Sequence, residues 1–177
     1  NMWENTREVV GNKKDNDGNG YKNDKYGWDF INNVADVQTL GSHGTHVAGI
    51  IGAVGNNNQG IAGMTWKVKL MPLIACNRYG CPTSAVTKAI RYAADNGANV
   101  INLSLGSQGT SAYADDYNEA IKYAYNRGVV IVAAAGNGDV EGTITGNGGV
   151  GQDLGVIPQS PVCNDNNQNM VLGVGAV

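Results

Sequence analysis

The chain has 177 residues, of which 42% are hydrophobic and 15% are charged, and its formal net charge is −3. This length allows one domain with a substantial core. The acidic balance, with no basic run, gives no electrostatic reason to expect nucleic acid or acidic lipid as a partner. No stretch approaches the roughly 18 consecutive apolar residues of a membrane helix, so we expect no membrane partner either. The N-terminus lacks the regions of a signal peptide and does not begin with methionine, which is typical of a processed or trimmed chain.

Residues 1–40 are polar and rich in turns, and they contain an acidic stretch at 15–24. Asp15, Asp17 and Asn19 offer oxygen ligands at alternating positions, and Gly18 permits a sharp turn, which suits a hard cation such as calcium. An EF-hand is not indicated, because its twelfth position is Tyr26 and no helical pattern precedes the loop. A plain solvated turn is the alternative to a cation site.

Apolar periodicity predicts the regular elements beyond residue 40. Stripes at helical spacing, each closed by a glycine, predict helices over 84–96 and 113–127. Small apolar residues over 46–54 predict a buried helix. Four strands are predicted, in chain order, over 67–73, 99–105, 129–135 and 169–177. The last two are expected to be buried, and 129–135 is expected to be buried on both faces. This alternation implies an α/β fold in three layers, with a central parallel sheet flanked by helices.

The sharpest motif is the stretch Ser42-His43-Gly44-Thr45-His46-Val47-Ala48-Gly49. A histidine at a helix start also fits a satisfied polar group or a metal ligand, but the surrounding small residues indicate that something approaches the backbone closely. As a whole the stretch resembles the histidine motif of the subtilisin-like serine proteases. The resemblance implies that His43 is the general base and that His46 is structural.

The resemblance extends over nearly the whole chain and assigns two segments at strand ends, where parallel sheets place functional groups. Ala133-Ala134-Ala135-Gly136-Asn137-Gly138 resembles the segment in which an asparagine, here Asn137, donates to the oxyanion. A turn asparagine is the alternative at that position. The implied substrate-binding residues are a strand that pairs with extended peptides, one wall of the specificity pocket and the opposite edge of the groove: Ser104, Leu105, Gly106, Ala134, Ala135, Gly136 and Gly80.

Some members of this family carry a similar acidic insertion before the histidine motif, where it resembles a calcium loop. The resemblance therefore implies calcium as cofactor and adds Tyr21 and Asp24 to the ligands Asp15, Asp17 and Asn19. The stretch Asn56-Asn57-Asn58-Gln59-Gly60 resembles the family's other calcium loop, with Asn57 as its side-chain ligand.

No residue of this chain matches the family's catalytic aspartate or serine. The aspartates before His43 lie in turn-rich sequence without the expected buried strand, and Ser111 in Gly109-Thr110-Ser111 lacks the following pattern, so we reject it as the nucleophile. We therefore expect a chain truncated at both ends, consisting of one partial peptidase domain over 1–177 with a calcium-loop region at 1–40 and an α/β core at 41–177.

Three cysteines are present. Cys76 and Cys81 are close enough in sequence to form a disulfide, and two free thiols are the alternative. Cys163 remains unassigned, and no Cys-x-x-Cys pair indicates zinc.

Together these features predict a secreted, calcium-stabilised serine endopeptidase that takes proteins or peptides as substrates. Its partners would include the remaining segments of the same protease. A catalytically inactive module that binds peptides or a partner chain is the first alternative, and a calcium-dependent structural component is the second.

Overall fold

The computed structural model describes residues 1–38, 41–108, 114–137, 154, 158–165 and 167–175. These residues form two compact units, 1–89 and 90–177, which are described separately. Within the described ranges, no helix combines the length and the apolar character needed to cross a membrane.

The described part of the first unit contains two short parallel strands, one complete helix and the start of a second helix that continues into residues 90–95. Strand β1 (Trp28–Asp29) pairs with β2 (Leu73–Ile74), and helix α1 (Ser42–Gly52) lies between them in sequence. The predicted strand over 67–73 is thus shorter than expected, because only its last residue enters the β1–β2 ladder, while Leu70 makes an isolated bridge to Met2.

Helix α1 ends where a glycine-containing segment folds back on it. The amides of Gly63, Met64 and Thr65 donate to the carbonyls of Ala53, Ile50 and Ile51, which satisfies acceptors left open at the helix end. A Cβ on Gly63 would lie 2.4 Å from the nitrogen of Ala53, so only glycine allows this approach.

Helix α1 begins at Ser42, four residues before the start of the predicted helix. Residues 42–45 thus belong to the helix, and no side chain caps its N-terminus. The expectation that this helix is buried is wrong: Val47, Ala48 and Gly49 are half-buried, whereas Ile50 is exposed and Gly52 is the one buried position of the helix.

The second unit contains a three-stranded parallel sheet in the order β3–β5–β7. Strand β3 is Val100–Leu103, β5 is Val130–Ala134 and β7 is Val171–Val174. Helix α2 (Thr83–Asp95) precedes β3, and helix α3 (Ala114–Tyr125) precedes β5 and packs against it. A second, antiparallel pair joins β4 (Ser107–Gln108) to β6 (Gln159–Ser160).

One face of the three-stranded sheet is buried over β3 and β5, and the other face is partly exposed. Ile101 stands beside Ile131 and Leu103 beside Ala133, and all four side chains are buried. On the opposite face Val132 and Ala134 are half-buried, and the other apolar residues are 45–58% exposed: Val100, Val130, Leu172 and Val174. The expectations that 129–135 is buried on both faces and that the last strand is buried are therefore wrong.

Candidate functional site

His43 lies in the first turn of α1, where its side chain is exposed to solvent. The helix starts at Ser42, and Gly41 before it has an extended backbone. His46 follows three residues later on the same helix and is also exposed. An accessible imidazole can accept a proton from a nucleophile, which is the chemistry that the motif predicts for His43.

The predicted substrate-binding residues Ser104, Leu105 and Gly106 directly follow β3, at the carboxyl end of the sheet. The side-chain amide of Asn102 donates to the hydroxyl of Ser104 over 2.9 Å, which fixes the start of this segment. After Gly106 the chain enters β4, which pairs with β6. The segment therefore connects two strands at the end of the sheet.

The predicted pocket wall and oxyanion donor follow the neighbouring strand at the same end of the sheet. Ala134 is the last residue of β5, and the amide of Ala135 donates to the carbonyl of Val174 in β7 over 2.8 Å. Gly136 then adopts a φ of +101°, which favours glycine, and turns the chain so that Asn137 is exposed.

Gln159 connects these two segments, and the sequence analysis did not identify it. Its buried side chain lies beside Gly136, where an added Cβ would be 3.4 Å from its Cδ. A Cβ on Gly106 would lie 3.0 Å from the carbonyl oxygen of Ser160. The structure thus brings Gly106, Gly136 and β6 together, and glycine at 106 leaves room for the carbonyl oxygen of Ser160.

Gly80 belongs to a cross-linked turn in the first unit. Cys76 and Cys81 form a disulfide, which settles the alternative that the sequence left open. Inside it, Asn77 and Gly80 exchange two backbone hydrogen bonds of 2.9 and 3.2 Å. Tyr79 is 81% exposed at the tip of the turn, and the guanidinium of Arg78 lies over its ring. Cys163 is free and exposed.

The predicted metal ligands at 15–24 belong to a closed loop, residues 5–24, called the acidic loop below. Asp15 organises its tip: one carboxylate oxygen accepts from the amides of Gly18 and Asn19, and the other accepts from Gly20 over 2.8 Å. The hydrogen bond from Gly20 is the main cause that holds the pKa of Asp15 below its ordinary value. The carboxylate is thus kept in its charged form, which is the form that binds a cation.

Asn19 connects the next two carboxylates of the acidic loop. Its side-chain amide donates to Asp17 over 3.3 Å and to Asp24 over 2.9 Å. Asn5 donates to the same two carboxylates over 3.0 and 3.2 Å, and Arg7 forms an ion pair with Asp17 at 2.9 Å. The structure therefore brings three of the predicted ligand residues into one network.

Glu8 is a second residue that the sequence analysis missed. Its side chain is buried, with one oxygen accepting from the amides of Asn16 and Asp17 and the other accepting from Asn23. Glu8, Asp15 and Asp17 offer carboxylate oxygens within 4.8 Å of one another. Glu8 stands seven residues before Asp15 in a segment without periodicity, so the sequence gave no signal that would have identified it.

Two predicted metal ligands have other visible roles. The ring of Tyr21 packs edge-on against Trp28, with centroids 5.0 Å apart, and against Phe30 at 5.6 Å. Asn57 is exposed, and its side-chain oxygen accepts from the amide of Gln59, which forms a local turn.

The donor set of the acidic loop fits a hard cation. Asp24 is fully buried, the side chain of Asp17 is 1% exposed and Glu8 is 4% exposed. Buried carboxylates are stable when they are paired or when they coordinate a metal. Arg7 pairs with Asp17 but is itself 58% exposed. The three lysines of the loop are also exposed to solvent: Lys13, Lys14 and Lys22.

Comparison with known proteins places this arrangement in a family. A sequence model of the subtilase family matches residues 5–177. The chain belongs to the subtilase family. The match covers the acidic loop, the His43 motif and both strand-end segments, and it confirms the resemblance inferred from those motifs.

The similar curated proteins include two bacterial proteinases. The chain is 48% identical over 112 residues to a thermophilic serine proteinase from Bacillus sp. (strain AK1), which covers 63% of this chain and 27% of that protein. It is 47% identical over 113 residues to thermitase from Thermoactinomyces vulgaris, which covers 63% and 39% respectively. The chain thus spans less than half the length of these relatives.

Solved structures agree with this placement. The fold is similar to a variant of the epidermin leader peptide processing serine protease from Staphylococcus aureus, with a TM-score of 0.63 and 27% identity. The alignment covers 82% of this chain and 36% of that structure. A lanthipeptide protease aligns with a TM-score of 0.62 at 22% identity, over 85% of this chain and 40% of the other, which supports the α/β fold.

Proposed function

We propose that the protein is a serine endopeptidase of the subtilisin type that hydrolyses peptide bonds in proteins. The observation that carries this proposal is the family match over residues 5–177, which includes the motif around His43 and the strand end at Asn137. His43 acts as the general base, which takes the proton of the nucleophile and returns it to the leaving amine. The side-chain amide of Asn137 donates to the oxyanion of the tetrahedral intermediate.

The segments at the carboxyl end of the sheet bind the polypeptide substrate. Ser104, Leu105 and Gly106 offer main-chain groups to an extended peptide, which gives affinity with little dependence on side chains. Residues 134–136 form one wall of the pocket beside the scissile bond. Gly80, in the disulfide-closed turn of the first unit, is a further substrate-binding residue.

Calcium is the cofactor, and the acidic loop holds it. The side chains of Asp15, Asp17, Asn19 and Asp24 supply oxygen ligands, and the backbone carbonyl of Tyr21 supplies another. Glu8 joins this set because its carboxylate lies within reach of Asp15 and Asp17. Asn57 belongs to a second and separate calcium loop. A bound cation neutralises the buried carboxylates and thereby stabilises the first unit.

The protein acts outside the cell. Two features support this location: a disulfide between Cys76 and Cys81, which persists in oxidising surroundings, and a calcium loop, which suits an environment rich in that ion.

Active-site substitutions in the complete gene product test the catalytic proposal. We expect Asn137→Ala to lower kcat for a chromogenic peptide by a factor on the order of 10²–10³, the loss caused by removing the corresponding donor in subtilisin, with little change in KM. Asn126→Ala is the matched control, because Asn126 is an exposed asparagine just after α3. We expect His43→Ala to abolish labelling by a fluorophosphonate.

Equal kcat values for the Asn137 and Asn126 variants would contradict the oxyanion assignment. Labelling that survives His43→Ala would contradict the assignment of the general base. If the complete, unaltered protein neither hydrolyses peptides nor reacts with the fluorophosphonate, the endopeptidase proposal fails as a whole.

A further inference from the structure

The acidic loop contains an asparagine followed by glycine, a pair with a known intrinsic reaction. The backbone nitrogen of the glycine loses its proton and attacks the side-chain Cγ of the asparagine, which closes a succinimide ring and expels ammonia. Water then opens the ring to aspartate or to isoaspartate. Glycine favours the attack because it has no side chain to obstruct it and an adaptable backbone. Four such pairs occur in the sequence: Asn19–Gly20, Asn96–Gly97, Asn137–Gly138 and Asn147–Gly148.

The folded acidic loop restrains both reacting groups of the first pair. The nitrogen of Gly20 donates its hydrogen to a carboxylate oxygen of Asp15 over 2.8 Å, so that hydrogen bond must break before the nitrogen can attack. The side-chain oxygen of Asn19 accepts from the amide of Tyr21 over 2.7 Å, and its nitrogen donates to Asp24 over 2.9 Å. Cyclisation needs the nitrogen and Cγ aligned at roughly 3–3.5 Å, a geometry that requires these contacts to open together.

We propose that Asn19 is a deamidation site that is protected in the closed acidic loop and reacts when the loop opens, so that loss of the bound cation is recorded as a covalent change. This inference rests on the proposed calcium site, because the cation is what holds the loop closed. Local opening sets the rate: only the open fraction of molecules can cyclise.

The product weakens closure of the loop. In the intact protein the amide of Asn19 donates to Asp17 and Asp24. A carboxylate at position 19 has no hydrogen to donate and repels both neighbours. Isoaspartate also adds a methylene group to the backbone, which shifts the register of the hydrogen bonds to Asp15. Deamidation therefore weakens closure of the empty loop, and the isoaspartate product also displaces the backbone that positions the neighbouring ligands.

A second pair in the chain provides an internal control. Asn96 donates through its side chain to the carbonyl of Tyr92 over 3.0 Å, and Gly97 donates to the carbonyl of Ala94 over 3.3 Å. Both contacts belong to the C-terminal turn of α2 and are independent of the acidic loop. The rate at Asn96 therefore reports general unfolding, and the ratio of the rates at Asn19 and Asn96 isolates the loop.

The experiment compares the complete protein in excess calcium and in chelator at mildly alkaline pH, with active-site inhibitor present. Peptide mass spectrometry measures the conversion of amide to acid at Asn19 and at Asn96 over time, and calorimetry measures calcium binding in parallel. A cation at about 100 times its Kd reduces the open fraction about 100-fold. We expect chelation to accelerate the reaction at Asn19 by at least about tenfold, with the rate at Asn96 unchanged. If calcium binds and the rate at Asn19 is the same in both solutions, the inference is overturned and the calcium site stands.

Substitution of Asp15 tests the inference without calcium. Asp15→Ala removes the acceptor for Gly20, and Asp15→Asn is a milder change that keeps one oxygen; both should raise the rate at Asn19 relative to Asn96. If calorimetry detects no calcium binding, the proposed cofactor fails and the recording of cation loss fails with it. These variants then decide only whether the closed loop protects Asn19. Unchanged rate ratios in both would overturn it, whereas a selective rise would support protection by the loop itself. Unfolding of a variant is recognised by acceleration at both asparagines.

Discussion

Glu8→Gln is the most direct perturbation of the acidic loop. Glu8 is 4% exposed, and its two oxygens accept three backbone hydrogen bonds, at 2.6 and 3.3 Å from Asn16 and Asp17 and at 3.0 Å from Asn23. Glutamine has only one side-chain oxygen, and its NH2 group takes the place of the other. The backbone amides that donated to the replaced oxygen then face a second donor and lose their hydrogen bonds. Losing one charge-assisted bond costs about 1.5–3 kcal/mol, and the remaining bonds become neutral and weaker by about 1 kcal/mol each. Relief from burying a charge offsets part of this, and we expect a net loss of about 2–4 kcal/mol.

Glu4→Gln is the matched control, since it makes the same chemical change four residues earlier. The side chain of Glu4 is 51% exposed and pairs with Lys25 at 3.3 Å, an interaction that contributes no more than about 1 kcal/mol. Urea unfolding in chelator, followed by tryptophan fluorescence, gives both free energies of unfolding. The measurement is then repeated in excess calcium. We expect calcium to raise the free energy of unfolding of the Glu4 variant much more than that of the Glu8 variant. Equal stabilities of the two variants in chelator would refute the structural role assigned to Glu8.

Two further predictions concern the rest of the chain. Gly27→Ala should destabilise the protein by about 2–5 kcal/mol in urea unfolding, because Gly27 has a φ of +127° and an added Cβ would lie 2.0 Å from the carbonyl oxygen of Pro72. Gly11→Ala, at φ +84° with open space around it, should cost only about 1 kcal/mol. The hydrogen bond to Asp95 raises the pKa of Tyr123, so the stability from this contact is present below pH ~10 and is lost as pH rises through the raised value. Spectrophotometric titration of the native protein should show one tyrosine that ionises at a higher pH than an ordinary phenol. This high-pH ionisation should disappear in the Asp95→Asn variant.

The helices of the second half were the most predictable elements. The structure has α2 at Thr83–Asp95 and α3 at Ala114–Tyr125, within two residues of the expected bounds. Apolar residues at helical spacing fix both the identity and the buried face of such helices, and Ala120, Ile121 and Ala124 are indeed fully buried. This signal is local in sequence, which is why it suffices.

Strand burial was less predictable than strand position. The apolar run at 129–135 correctly indicated β5, which is central in the order β3–β5–β7. It did not indicate that Val130 is 45% exposed, because an apolar run reports what a strand can bury and not which faces are covered in the described structure. Helix α1 shows the same limit, since its small residues permit close packing without determining it.

The site residues missed by sequence analysis share a physical feature, which is that their partners are distant in sequence or come from irregular segments. Gln159 lies beside Gly136 after a separation of more than 20 residues, and no periodic pattern connects the two. Glu8 meets the amide of Asn23 across the whole acidic loop. By contrast Asp15 bonds to amides three to five residues away, a spacing that the motif itself specifies.

The acidic loop and the small core of the first unit depend on each other. Tyr21 leaves the loop and packs edge-on against Trp28, which is buried in β1 and pairs with Leu73 of β2. An opening of the loop that displaces Tyr21 would uncover Trp28 and remove an aromatic contact worth about 0.5–1.5 kcal/mol beyond its buried area. A cation that closes the loop therefore stabilises more than its ligands, because it also holds Tyr21 against the strand pair. The same coupling explains why damage at Asn19 should weaken the whole N-terminal unit and not the loop alone.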